Sequence, residues 1–164
     1  INPILYQQNL MHLQSIDAVN IIDCFNYYNR LQIMSGDNAM YCNNCNQLLT
    51  FCRKEFIAIG SEVLILLLNR GKGIEFNIKL EFIEYLNLEN YIQMKDTGCN
   101  YKLIGVVTHM GESGATGHFI ACCRSPIDDK WYKYNDDLVT PINDFKQEII
   151  DYAMPYILFY QKMK

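Results

Sequence analysis

The residues whose chemistry is easiest to name lie in the last third of the chain, where a histidine precedes an apolar run. In GHFIACCR, His118 follows Gly117, and the segment WYKYNDD, Trp131 to Asp137, comes shortly afterwards. An imidazole held by a neighbouring amide or carboxylate has its tautomer fixed and its second nitrogen available as a base. The pattern is therefore typical of a general base with its orienting partner.

Both segments have the composition of β-strands, and the polar turn SPIDDK separates them, so we expect a β-hairpin. If the hairpin closes between Arg124 and Trp131, the numbers of opposed residues add up to an odd total. His118 then faces Asp137, and Asn135 lies one diagonal step away. A register shifted by two residues brings Asn135 directly opposite.

Parity decides which side chains share a face, because side chains alternate along a strand. An odd total places His118 with Asn135 and Asp137, whereas an even total places it with Asp136. Opposed Cβ atoms lie about 4.5–5.5 Å apart, close enough for an oxygen to accept the Nδ1–H of the imidazole. The alternative is a strand-edge histidine that a neighbouring side chain satisfies and that has no part in catalysis.

The chain offers no convincing nucleophile for this base. Cys122 shares the face of His118, but four strand residues separate the two by roughly 13 Å. Cys123 points to the other face. No local feature near the remaining cysteines outside the Cys-x-x-Cys depresses a thiol pKa, and we interpret these as core residues: Cys24, Cys52 and Cys99.

YCNNC places Cys42 and Cys45 at the spacing with which two thiolates bind one tetrahedral metal. A structural zinc site needs four ligands, and the chain has no second Cys-x-x-Cys. Further ligands from His12 or the other cysteines depend on the fold. The alternative is two idle thiols on a turn.

Composition excludes some classes of function. The net charge of −4 and a pI near 5.3 argue against a nucleic-acid partner. The apolar run Val63–Leu68 is too short to cross a membrane, and it predicts a strand buried on both faces. Seven cysteines, two of them adjacent in a strand-like run, indicate a reduced, intracellular compartment.

Strand patterns outnumber helix patterns, so we predict an α+β fold with a mostly antiparallel sheet. Ser15 is a candidate N-cap for one helix, and Thr140-Pro141 for another. The three-glycine segment His109–Gly117 is predicted to be a loop. Besides the hairpin, the predicted strands are Leu49–Phe56, Val63–Leu68, Lys79–Phe82, Tyr101–His109 and Tyr156–Gln161.

Several separated motifs, in order, resemble the ubiquitin-specific proteases, which are papain-like cysteine deubiquitinases: GDNAMYCNNC, LILLLNR, YKLIGVVTHMGESGATGHFIACCR, WYKYNDDLVTP and YILFYQK. The similarity runs from about Ser15 to Lys162. It implies a papain-like fold of which this chain supplies the palm and part of the fingers. GHFIA resembles the histidine box of that family, with Phe119 where Tyr is usual.

The resemblance implies roles for single residues. His118 is the expected general base, Asn135 the third triad member, and Asp136 a neighbouring carboxylate that can share that role. MGESGATG resembles the loop beside the cleft that admits the ubiquitin tail, so Gly114, Gly117 and Phe119 are expected to bind substrate. Cys42 and Cys45 match the second half of a four-cysteine structural zinc site. Catalysis itself is expected to need no cofactor.

Three parts of the family pattern are missing from this sequence: the cysteine box with its nucleophile, the oxyanion-stabilising residues next to it, and the first Cys-x-x-Cys. We therefore expect residues 1–164 to be the C-terminal portion of a catalytic domain whose thumb lies elsewhere. The expected partners are ubiquitin or a ubiquitinated protein and the N-terminal half of the same domain, with no nucleic acid and no membrane. The fragment alone is expected to be inactive.

The sequence leaves three classes of function open. The first is a deubiquitinating thiol hydrolase that cleaves the bond after the C-terminal glycine of ubiquitin. The second is a non-catalytic, ubiquitin-binding pseudoprotease, and the intact base and its partner argue against it. The third is a zinc-stabilised interaction domain, which the histidine hairpin disfavours.

Overall fold

The computed structural model describes residues 18–69, 78–113, 116–151 and 154–164. In these ranges the chain contains one α-helix, α1 (Ile21–Tyr28), two 3₁₀ turns (Gly36–Asn38 and Lys95–Thr97), a π-helical segment (Lys146–Asp151) and thirteen strands. The strands are β1 (Ala18–Asn20), β2 (Gln32–Met34), β3 (Met40–Cys42), β4 (Gln47–Leu49), β5 (Phe51–Arg53), β6 (Val63–Leu67), β7 (Lys79–Glu81), β8 (Tyr85–Asn87), β9 (Asn100–Ser113), β10 (Thr116–Arg124), β11 (Trp131–Asn135), β12 (Leu138–Pro141) and β13 (Pro155–Lys162).

A seven-stranded antiparallel sheet forms the centre of the molecule. Its strand order is β12-β11-β10-β9-β13-β6, and β8 pairs with one end of the long strand β9. Three two-stranded ladders lie outside it: parallel β1–β7, antiparallel β2–β5 and antiparallel β3–β4. The predicted α+β class with a mostly antiparallel sheet is confirmed.

The hydrophobic core covers one face of this sheet. Leu158 and Tyr160 of β13 are fully buried there, together with Leu103 of β9. The Tyr160 hydroxyl donates a 2.7 Å hydrogen bond to the carbonyl of Ile83, so its polar end is satisfied. Burying a leucine of this kind stabilises the fold by about 1.5–3 kcal/mol. The residues that pack against the sheet come from α1 and from the segment that includes β7 and β8: Ile21, Phe25, Leu80, Phe82, Leu86, Leu88, Tyr91 and Ile92.

The opposite face of the sheet carries apolar side chains with little covering them. Ile65 is 59% exposed and Leu67 is 68% exposed, so the prediction that this strand is buried on both faces is wrong for this chain. The core packs against only one face of β6. The cross-strand pairs place further apolar residues on the same side, and we call this surface the open face: Ile65, Leu67, Val107, Phe119, Ala121, Tyr134, Val139, Ile157 and Phe159.

The predicted N-terminal residues of two helices are wrong. Helix α1 begins at Ile21, where the side chain of Asn20 accepts the backbone N–H of Ile22 at 2.8 Å. Ser15 lies outside the described residues. Thr140-Pro141 starts no helix, because Thr140 pairs with Lys133 in the β11–β12 ladder. Cross-strand pairing overrides the local cap signal there.

The segment predicted as a glycine loop is largely a β-hairpin, since β9 continues to Ser113 and β10 begins at Thr116. None of the described helices is long and apolar enough to cross a membrane.

Candidate active site

The β10–β11 hairpin has the register that the sequence predicts. Arg124 pairs with Trp131 and Ala121 with Tyr134, so opposed residue numbers add up to an odd total. The turn between the strands is fixed by backbone hydrogen bonds, among them a 2.8 Å bond from the N–H of Ser125 to the carbonyl of Lys130. An ion pair between Arg124 and Asp129 spans the same turn. The prediction that parity brings His118 and Asn135 to one face is confirmed.

The two side chains meet just beyond the last paired residues of the hairpin. Nε2 of His118 lies 2.5 Å from Oδ1 of Asn135, and the imidazole is 45% exposed. An amide oxygen can only accept, so Nε2 carries the proton and the neutral ring must be the Nε2–H tautomer. Nδ1 makes no hydrogen bond to the part of the chain that the structure describes.

The nitrogen that Asn135 holds is not the one expected from the sequence. The distance between opposed Cβ atoms predicts a contact made by Nδ1–H. Because Asn135 stands past the final β10–β11 pair, the contact is made by Nε2, the ring nitrogen farther from the backbone. The nitrogen left with a lone pair is therefore Nδ1.

Asp136 is the nearest carboxylate to the ring in the described chain. It occupies the two-residue turn between Asn135 and Leu138, where its φ of 50° lies in the left-handed region that Asp and Asn tolerate. Its Oδ2 is 3.8 Å from Nε2 of His118, and its side chain is 79% exposed. Such a pair attracts only when the imidazole is protonated, and solvent screens it strongly.

The residues on either side of His118 are held differently. Gly117 is closely packed, because a Cβ built on it would collide with the His109 ring. The Phe119 side chain is 51% exposed, and its ring lies edge-on to His109 and Tyr156 at centroid distances of 4.8 and 5.3 Å. Gly114, the third residue predicted to bind substrate, lies outside the described residues.

His109 lies beside the site, and the sequence alone predicts no role for it. The sequence pattern predicts only that it ends a strand before a loop. What brings His109 to the site is the pairing of β9 with β10, in which His109 lies opposite Phe119, the residue after the predicted base.

A cleft of about 910 Å³ adjoins the histidine–asparagine pair on the core-side face of the sheet. Cys122 lies in its wall, buried, and burial raises the pKa of its thiol to about 11. A thiol with such a pKa is almost wholly protonated near neutrality and is a poor nucleophile. Other lining residues include Thr108, His109, Ile120, Lys133, Asn135 and Glu148.

Cys42 and Cys45 come together at the turn of the β3–β4 hairpin. Their sulfur atoms are 3.1 Å apart, and the Cys45 thiol donates to Cys42, which lowers the pKa of the Cys42 thiol. Two thiols on one turn suit half of a tetrahedral zinc site. Among the described residues no group of three or more His, Cys, Asp or Glu side chains is arranged to hold a metal. The residues present therefore fit half of a zinc site.

The cysteines interpreted as core residues differ in their exposure to solvent. Cys99 is buried as expected, whereas Cys24 and Cys52 are exposed, so the interpretation is wrong for those two. Cys52 lies in the short β2–β5 ladder, which has no second layer to bury it in the described chain.

Comparison with known proteins gives one consistent result. The sequence profile described as "Ubiquitin carboxyl-terminal hydrolase" matches residues 19–160. Ubiquitin carboxyl-terminal hydrolase 17-like protein A of Mus musculus is 33% identical over 131 residues, which cover 77% of this chain and 24% of that protein. Ubiquitin carboxyl-terminal hydrolase 21 of Homo sapiens is 29% identical over 152 residues, covering 89% of this chain and 26% of that protein.

Solved structures agree with the sequence comparison. The SAGA Ubp8/Sgf11/Sus1/Sgf73 DUB module bound to ubiquitin aldehyde contains a chain that superposes with a TM-score of 0.70 at 27% identity. The match covers 88% of this chain and 34% of that one. The chain thus spans about a third of the solved chain and about a quarter of the two curated relatives.

Proposed function

Because the chain belongs to the ubiquitin carboxyl-terminal hydrolase family, with the papain-like fold of ubiquitin-specific protease catalytic domains, we propose that it is the C-terminal part of a deubiquitinating cysteine hydrolase. In this proposal residues 1–164 supply the palm and part of the fingers. His118 is the general base, and Asn135 orients it. The contact between Nε2 of His118 and Oδ1 of Asn135 is the observation that carries the proposal.

The geometry assigns each ring nitrogen a task. Asn135 holds Nε2–H, so Nδ1 is the atom that exchanges protons with the reacting groups. A cysteine thiol from outside this chain gives its proton to Nδ1, and its sulfur attacks the carbonyl carbon of the C-terminal glycine of ubiquitin. The imidazolium then protonates the leaving amine, and a thioester remains.

The second half of the reaction uses the same nitrogen. Nδ1 takes a proton from water as the water oxygen attacks the thioester carbonyl, and it returns that proton to the departing thiolate. Ubiquitin leaves with a free carboxylate, and the base is restored. A neutral amide suffices as the third member, because its task is to hold the ring during both transfers. The Asp136 carboxylate attracts the imidazolium, but the attraction is weak because solvent screens it.

The proposed substrate is ubiquitin or a ubiquitinated protein, and the site offers an approach for its extended tail. Gly117 is an exposed residue next to the base, and Phe119 presents an exposed aromatic ring. With Gly114 they are the proposed tail-binding residues. A second solved relative is a SAGA DUB module bound to monoubiquitin, which supports the substrate class.

The proposed partner of the open face is the N-terminal half of the same catalytic domain. Large exposed apolar surfaces are normally covered by another domain or chain. The same half would also extend over the cleft on the core-side face, bring the nucleophile to Nδ1 of His118 there, and complete the zinc site begun by Cys42 and Cys45. Zinc there would tie the finger strands together and has no step in the hydrolysis. The reduced compartment inferred from the cysteines stays part of the proposal.

Hydrolysis of a ubiquitin C-terminal amide that carries a fluorophore tests the proposal. The full-length protein should release the fluorophore, the chain Ile1–Lys164 alone should not, and full-length His118→Ala should lose about 10²- to 10⁴-fold in kcat. Ile127→Ala, in the exposed turn at the other end of the hairpin, is the matched control and should behave like wild type. Undiminished turnover in His118→Ala would defeat the assignment.

A non-catalytic ubiquitin-binding pseudoprotease is the second candidate. The observation that favours it is the absence of a reactive thiol near His118 in the described chain, since burial raises the pKa of both Cys122 and Cys123. Ubiquitin binding by the full-length protein without any fluorophore release would identify this function.

A further inference from the structure

One buried imidazole contacts the residues on both sides of the proposed base. His109 is only 7% exposed and lies in β9, where it pairs with Phe119 while its neighbour Met110 pairs with His118. Cε1 and Nε2 of its ring occupy the space that a Cβ on Gly117 would need, and its ring centroid is 4.8 Å from that of Phe119.

We propose that His109 is a positioning residue that braces both neighbours of His118 and so sets the direction of the catalytic imidazole. This inference rests on the proposed function of His118. His109 touches no reacting atom and acts through its contacts with Gly117 and with the Phe119 ring.

The backbone just before His118 needs such a brace. The β9–β10 register shifts between Thr116 and His118, so regular ladder pairing is interrupted immediately upstream of the base. At Gly117 the contacts that restrict the chain are the His109 ring and the carbonyl of Met110, which would stand 2.6 Å from an added Cβ. At this point the packing of the His109 side chain against Gly117 restrains the backbone where the regular β9–β10 hydrogen-bond ladder is interrupted.

His109 is itself anchored to the segment that precedes β13. Its backbone N–H donates to the carbonyl of Met154 at 3.3 Å, and the Thr108 hydroxyl donates to the same oxygen at 2.7 Å. The ring of Tyr156 lies 5.3 Å from that of Phe119, which gives Phe119 a second support in β13. The backbone of His109 is thus held in place by the segment that leads into β13.

The expected cost of removing the brace is catalytic. A displacement of about 1 Å in a catalytic group costs roughly 100-fold in rate. Substrate affinity should change less, because His109 is itself buried and is not among the proposed tail-binding residues. A fall in kcat with a nearly constant KM is therefore the signature of positioning.

The test uses the full-length protein and variants His109→Ala, Gly117→Ala and Gly105→Ala. A covalent ubiquitin C-terminal electrophile first counts the reactive sites in each preparation. Per reactive site, His109→Ala should lose about tenfold or more in kcat with KM within about threefold. Gly117→Ala should lose at least as much, because its methyl group collides with the His109 ring.

Gly105→Ala is the matched control, since its Cβ would make ordinary contact with Phe159 at 3.4 Å, and it should stay within about twofold of wild type. If His109→Ala keeps its kcat per reactive site and only the number of reactive sites falls, the residue is merely structural and the proposal is overturned.

Amide hydrogen exchange supplies a readout that does not depend on turnover. In His109→Ala the peptide that covers residues 116–121 should exchange at least about tenfold faster, while peptides from β6 and β13 stay as in wild type. A uniform rise over all peptides, or no rise in 116–121, overturns the brace. Absent turnover by wild type contradicts the proposed function alone, and the exchange data still decide the role of His109.

Discussion

Asn135 and Asp136 approach the same nitrogen of His118 from different distances, 2.5 Å for the amide oxygen and 3.8 Å for the carboxylate. The nearer group is neutral and within hydrogen-bonding distance, and the farther one is charged and mostly solvated. In the proposed active site, this difference suits Asn135 to orienting the ring and Asp136 to a weak electrostatic contribution. The two contributions can be separated by substitution.

Replacing Asn135 should impair turnover without unfolding the protein, because its side chain is partly exposed at the end of a strand. We expect Asn135→Ala in the full-length protein to lower kcat by roughly 10- to 100-fold, less than removal of the base itself. Asn135→Asp keeps an acceptor oxygen at the same place and should retain most of the rate. If kcat falls equally in Asn135→Ala and Asn135→Asp, the hydrogen bond accepted by the side-chain oxygen at position 135 does not determine the rate. Fluorophore release from a ubiquitin C-terminal amide measures each rate.

Replacing Asp136 should have a small effect that depends on salt. Asn tolerates the left-handed backbone at this position, so Asp136→Asn removes the charge and keeps the turn. At physiological ionic strength we expect kcat within about threefold of wild type, because an exposed pair at 3.8 Å is largely screened. The difference should grow as salt is lowered. A loss comparable to that of Asn135→Ala would make Asp136 the principal partner.

The described cysteines should differ in their rate of alkylation. The hydrogen bond from Cys45 lowers the pKa of Cys42, which increases its thiolate fraction near neutral pH, so metal-free Cys42 should react fastest with iodoacetamide. Burial raises the pKa of Cys122 to about 11, so Cys122 should react slowly until the pH approaches that value. Peptide mass spectrometry over a pH series measures both rates.

Cys45→Ala supplies the control for this comparison. It removes the donor, so the pKa of Cys42 should return towards its ordinary value and alkylation near neutrality should slow. A Cys42 rate that is the same in Cys45→Ala as in wild type would contradict the proposed origin of the shift.

The open face predicts self-association of the isolated chain. Ile65→Lys combined with Leu67→Lys places two charges on that face, and the variant should sediment as a smaller species than wild type at the same concentration. Ile127→Lys, at an exposed site in the β10–β11 turn, should leave sedimentation unchanged. In the full-length protein the same double substitution should reduce turnover if the N-terminal half packs there. A wild-type chain that stays monomeric at every concentration tested would count against the first expectation.

The position of His118 relative to Asn135 could be predicted from the sequence because strand geometry has only two faces. The turn SPIDDK fixes where the hairpin closes, and parity then settles which side chains meet. The identity of the contacting nitrogen could not be predicted, because it depends on how far the strands separate beyond Ala121 and Tyr134. That separation is a property of the surrounding packing.

Other features depended on partners that are distant in the chain. Thr140-Pro141 carries a local helix signal, but Thr140 pairs with Lys133 and extends the sheet. Val63–Leu68 has the composition of a strand buried on both sides, yet composition does not say whether the second layer belongs to the same chain. His109 escaped notice because its opposition to Phe119 requires β9 to continue to Ser113.

The two ends of the β10–β11 hairpin should tolerate changes in chain length very differently. Additional residues inside the turn 125–130 can bulge into solvent and leave the ladder as it is. One residue gained or lost within either strand, between His118 and the turn or between the turn and Asn135, would move one of these two side chains to the other surface of the sheet. Natural variation among relatives should therefore include loops of many sizes at that turn, while the spacing from each of the two residues to the turn keeps its parity.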